Sequence, residues 1–140
     1  MPSDDIVFAF PIEADPAAVV EAVNTADGVR GWWTDTAEVG GDRAVLTFAD
    51  AEAPYEFAIS EGGPQRVVWT TDGHPPNWDG TSITYEVGPG ENGGAMMMFR
   101  HGPFPQDQER GFLAFFWGQI MGRLKAYAET GDAQPFMSGR

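Results

Sequence analysis

Apolar residues recur every second position through the first hundred residues of the chain and every third or fourth position after them. Ile6, Phe8, Phe10 and Ile12 alternate with Val7, Ala9 and Pro11, which predicts a strand with one buried face. Asp15-Pro16 predicts a helix start, because Asp15 can accept a backbone N–H as the cap and Pro16 suits the first helical position. Val19, Ala22 and Val23 give that helix its apolar stripe, Asp27-Gly28 is expected to end it, and residues 29–33 to form one more helical turn. From Thr36 onward, glycine- and proline-rich breaks divide the sequence into short intervals. Each interval carries one alternating set: Leu46 and Phe48; Tyr55, Phe57 and Ile59; Val67 and Trp69; Ile83, Tyr85 and Val87; Met97 and Phe99.

The pattern then changes to that of a long helix, expected over residues 107–131. Phe112, Phe116, Ile120, Leu124 and Tyr127, with Leu113 and Trp117 beside them, are spaced to share one face. These elements predict an α+β fold: a curved antiparallel sheet of about six or seven strands, two short helices near the N-terminus, and a long C-terminal helix packed across the concave face. Residues 1–140 are expected to form one domain.

Several motifs share their order with a known family: the segment Phe10 to Val19, Gly31-Trp32-Trp33, Val68-Trp69, the run Gly80 to Tyr85, Phe99-Arg100-His101-Gly102, and the run Leu124 to Gly131 with Pro135 after it. In these the chain resembles the START-like helix-grip (SRPBCC) superfamily, and within it homologues of the C-terminal domain of the activator of heat-shock protein 90 ATPase. The resemblance implies a cavity between the sheet and the terminal helix. Phe57, Trp69, Tyr85, Met97, Phe99, Phe116 and Ile120 lie on the faces that should meet there, Trp33 would close one end, and Tyr85 or His101 offers a polar anchor. The same side chains would equally fill a solid core. The superfamily carries binders, cyclases and co-chaperone modules on one frame, so three readings follow from it. They are non-covalent binding of a small apolar or aromatic molecule, a module acting on the chaperone ATPase, and a cyclase or dehydratase using His101.

Composition narrows these readings. Twenty-one acidic residues against eight basic ones leave a net charge of −13, which repels nucleic acid and anionic membrane surfaces. Lys125 is the only lysine, a bias expected either from a high-salt habitat or from genomic base composition. The absence of cysteine excludes disulfides and thiolate metal sites. Asp4 and Asp5 stand where a secretory leader would be basic, so a cytoplasmic location without membrane insertion is expected.

The remaining candidate chemistry is sparse. His101 continues the inward alternation of Met97 and Phe99, and either serves a ligand or a proton transfer or is satisfied by a backbone carbonyl. His74, beside Trp78 in a loop rich in proline and glycine, reads as a solvated rim residue. Two histidines without a His-Glu-x-x-His run predict no metal. The run Gly88 to Gly93 spells a dinucleotide fingerprint but lies between two strands, and no Gly-x-Ser-x-Gly elbow occurs, so no cofactor is expected. Glu56 and Glu86 are expected on the wet face. Gly111, Ala114, Gly118 and Gly122, flanked by Phe115 and Met121, are placed on the outer face of the long helix, where a second copy would approach to form a homodimer.

Overall fold

The computed structural model of the chain describes residues 3–49, 51–72, 74–91, 93–105 and 108–137. Seven strands form one antiparallel sheet: β1 (Ser3–Ile12), β2 (Glu38–Gly40), β3 (Arg43–Leu46), β4 (Tyr55–Gly62), β5 (Arg66–Thr71), β6 (Ser82–Pro89) and β7 (Ala95–Pro105). Their order is β1-β7-β6-β5-β4-β3-β2, so every neighbour is consecutive in the chain except β1, which pairs with β7. Register shifts at Asp4/Ile6 in β1 and at Ile59/Glu61 in β4 interrupt the regular ladders, as bulges do. The run Gly88 to Gly93 spans the end of β6 and the turn into β7, with Asn92 outside the described residues.

The two-residue period sorts the strands as expected. Val67, Tyr85 and Phe99 lie side by side on β5, β6 and β7, as do Trp69, Ile83 and His101, and all six are buried. The other face meets solvent. There Arg43 bridges Asp72 at 2.7 Å and Glu56 at 3.2 Å, and Glu86 stands opposite Arg66.

The helix α1 (Pro16–Asn24) opens as the sequence predicts, the Asp15 carboxylate accepting from the Ala17 N–H at 3.2 Å. Its end differs from the expectation. Asp27-Gly28 lies inside a second helix, α2 (Ala26–Arg30), because the Thr25 hydroxyl accepts from the Gly28 N–H at 3.0 Å and starts a new helix.

The long helix α3 spans Gln108–Thr130, and Asp107, its expected first residue, lies outside the described residues. Its C-terminal half is fastened to β1. Lys125 donates to Pro11 O and to Glu129, whose carboxylate also accepts from the Glu13 N–H. Those hydrogen bonds hold the Glu129 carboxyl below the usual range.

The buried face of α3 differs from the one read from spacing. Trp117, Ile120, Met121 and Leu124 are buried, whereas Phe112 and Phe116 are 60% and 50% exposed. Apolar residues ring the helix between positions 111 and 122, so spacing alone leaves its rotation open. The side chains beneath it decide. Each large residue buried there contributes roughly 1.5–3 kcal/mol, and Trp117 also finds a hydrogen-bond partner, His101. No helix among the described residues is long and apolar enough to cross a membrane.

Candidate functional site

Between α2 and β2 the chain makes a tight turn, with the N–H groups of Trp32 and Trp33 donating to Val29 O. The two indoles stack on each other, with ring centroids 5.7 Å apart, but make different outer contacts. Trp32 Nε1 donates to Ala22 O on α1, while Trp33 turns under α3, stacks on Trp69 at 6.2 Å and meets the edge of Trp117 at 5.0 Å. Gly31 leaves room for α3 beside the turn, since a Cβ at that position would penetrate the Tyr127 ring.

Past the end of α3 the chain doubles back along this turn. Gln134, Phe136 and Met137 donate their backbone N–H groups to the carbonyls of Gly31, Trp32 and Trp33, and Arg123 holds Gln134 O at 2.9 Å. Phe136 is thereby set against Phe116, with ring centroids 6.4 Å apart.

These pieces surround a half-open hollow of about 280 Å³. Trp33 forms its inner end, and Phe48, Ala51, Tyr55 and Trp78 supply one wall. Leu113, Phe116, Trp117 and Ile120 of α3 form the opposite wall, and Phe136 and Met137 close a side. Among the described residues that line it, none carries a charge. The Tyr55 phenol is the most polar group present, and burial pushes its pKa upward, so it stays neutral at physiological pH.

Of the residues expected to meet a ligand, Trp33, Phe116 and Ile120 border this hollow. Phe57, Trp69, Tyr85, Met97, Phe99 and His101 are fully buried in the packing between sheet and helix and do not line it. Trp69 Nε1 and the Tyr85 hydroxyl have no hydrogen-bond partner there, and burial raises the Tyr85 phenol well above its ordinary value. Gly111, Gly118 and Gly122 sit on the exposed side of α3 with nothing within 4 Å of an added Cβ, and Phe115 is 70% exposed. Ala114 packs against the core, and Met121 is buried.

The C-terminal wall was absent from the sequence reading. Its signal was Phe136-Met137, two large apolar residues in an otherwise polar tail. The wall from Phe48 to Tyr55 was equally unread, and Asp50 within it lies outside the described residues.

His101 is committed on both ring nitrogens. Trp117 Nε1–H donates to Nδ1 at 2.9 Å, so Nε2 carries the proton and donates to Thr81 Oγ1 at 3.1 Å, while the Thr81 hydroxyl donates to Trp78 O at 2.6 Å. Burial pulls the imidazole pKa down to about 3. At neutral pH the ring is an uncharged tie joining α3, β7 and the turn at Trp78. His74 stays at the rim, its ring 5.6 Å from Tyr55.

No family model matches the chain, and no curated protein matches it. Solved structures do. One is the Aha1 dimer from Colwellia psychrerythraea, determined in solution, at 25% identity and a TM-score of 0.79 over 91% of this chain and 97% of that one. The chain has the helix-grip fold. The helix-grip match extends to an AHSA1-like protein from Aeromonas hydrophila, with 20% identity and a TM-score of 0.66 over 91% of this chain and 93% of that one. DynU16, from the dynemicin biosynthetic locus, has 19% identity and a TM-score of 0.73 over 94% of this chain, which spans about half (49%) of DynU16.

Proposed function

We propose that this protein binds a small, uncharged, apolar or aromatic molecule non-covalently in the hollow beneath the N-terminal half of α3. The observation that carries this reading is the hollow itself, about 280 Å³ walled by aromatic and aliphatic side chains without a charge among the described residues that line it. That volume falls just below the roughly 300–1,000 Å³ of drug-sized sites, which favours a compact ligand of two or three rings or a short acyl chain. Flat walls at Trp33, Tyr55, Trp78 and Phe136 suit a planar ring system, and affinity comes from burial. The commitment of both His101 nitrogens favours binding over proton-transfer chemistry at that residue.

The test is titration with the neutral fluorophore N-phenyl-1-naphthylamine, followed by displacement with a panel of neutral polycyclic aromatics and fatty alcohols. Saturable uptake with displacement supports the reading, and no uptake across the panel refutes it.

The resemblance also carries the reading of a module acting on the heat-shock protein 90 ATPase, and stimulation of that chaperone's ATP turnover by the purified protein separates it from the first. The Colwellia relative is a dimer, and we extend that assembly to this chain, through the outer face of α3.

A further inference from the structure

The N-terminal half of α3 shows solvent an aromatic face unlike the rest of the surface. Phe112, Phe115 and Phe116 are 60%, 70% and 50% exposed on successive turns. Gly111 through Gly122 contains no ionisable residue, in a chain whose net charge is −13. Three phenylalanines exposed to this degree offer on the order of 350–400 Å² of apolar surface, about half of what one partner contributes to a standard interface.

We propose that a second copy of this chain covers that face and in doing so closes the mouth of the hollow. Charge limits how two copies can meet. Two bodies each carrying −13 repel over most of their surfaces and approach at least cost where both are neutral. Antiparallel packing of α3 on α3 centred at Phe116 sets Glu109 of one copy against Arg123 of the other at both ends, so the flanking charges attract.

Phe116 belongs to both features. It lines the hollow, is half exposed, and contacts Phe115 on the outer face and Phe136 on the tail. Met137, also on the lining, is 39% exposed at the same rim. A body seated on Phe112 to Phe116 therefore abuts the opening, and a ligand inside gains contacts from the second copy. Occupancy and pairing are then linked: each strengthens the other by the same factor. This inference rests on the hollow being a ligand site.

Sedimentation velocity of the full chain, with and without N-phenyl-1-naphthylamine, tests it. The wild type is expected to dimerise at about 100 µM or below, more strongly with the probe and more strongly as added salt screens the net charge. Phe115→Glu alters a residue that does not line the hollow, and should weaken pairing by about tenfold or more and probe affinity by about threefold through the linkage. Phe112→Glu, at a second exposed phenylalanine of that face that does not line the hollow, should repeat that result if Phe115→Glu fails to fold. A wild type that remains monomeric with probe bound overturns the proposal, as does a monomer that cosediments with phosphatidylcholine vesicles. Unchanged probe affinity in a monomeric variant overturns the closure and leaves the ligand site standing, whereas a dimer that takes up no probe refutes the ligand site itself.

Discussion

The indole N–H of Trp117 donates to Nδ1 of His101 at 2.9 Å, and this one contact sets both the rotation of α3 and the tautomer of the only buried imidazole among the described residues. Trp117→Phe keeps the ring stacking and removes the donor, leaving a buried acceptor unpaired. A loss of about 1–3 kcal/mol in unfolding free energy is expected. His101→Ala adds a cavity and also leaves the Trp117 indole N–H without its acceptor, for about 3–5 kcal/mol. Urea denaturation of the single variants and the double variant checks both, with the double expected to cost less than the sum.

The same contact has a pH signature. The folded His101 pKa, about 3, lies below the 6.5 of the unfolded chain, so between those values only the unfolded state takes the proton. Stability contributed through this group is therefore constant above pH 6.5 and falls as pH drops, by up to about 1.4 kcal/mol per unit, until pH 3. NMR titration of the His101 ring protons reads this directly, with no midpoint expected above pH 5. A midpoint near 6.5 refutes the buried neutral tie.

Filling the hollow should abolish binding without unfolding the protein. Leu113 lines it and is only partly buried, so Leu113→Trp directs an indole into open space. Probe affinity is expected to fall by about tenfold or more while stability changes by less than about 1 kcal/mol.

The tail supplies a removable wall. Phe136→Ala removes an aromatic contact with Phe116 and leaves the three backbone hydrogen bonds of the tail in place. Probe affinity should drop about fivefold, the equivalent of about 1 kcal/mol of aromatic contact, and fluorescence titration measures it.

Local chemistry made most of the fold legible beforehand. The Asp15 cap, the alternation through β4 to β7 and the length of the terminal helix each depend on neighbours a few residues away, and each appears in the structure as the pattern implies. What escaped depends on distant partners. The phase of α3 is chosen by His101, sixteen residues from Trp117 in sequence, and the tail at Phe136 is held by carbonyls about a hundred residues upstream. Six aromatic, thioether or imidazole side chains assigned to a ligand are packed against one another, because period-two alternation reports which face is buried and not whether space remains there. The hollow formed instead at the edge of that packing, where Trp33, Trp78 and the tail meet α3.

The five tryptophans give the most direct test that the hollow is the binding site, since each indole N–H contributes its own NMR signal. Trp33, Trp78 and Trp117 line the hollow, whereas Trp32 is tied to Ala22 O on α1 and Trp69 lies beneath Trp33. On titrating N-phenyl-1-naphthylamine into labelled protein, the signals of Trp33, Trp78 and Trp117 should shift saturably and by more than that of Trp32, which does not line the hollow but stacks on Trp33 at 5.7 Å. Signals that do not move, or a shift confined to Trp32, would contradict the account.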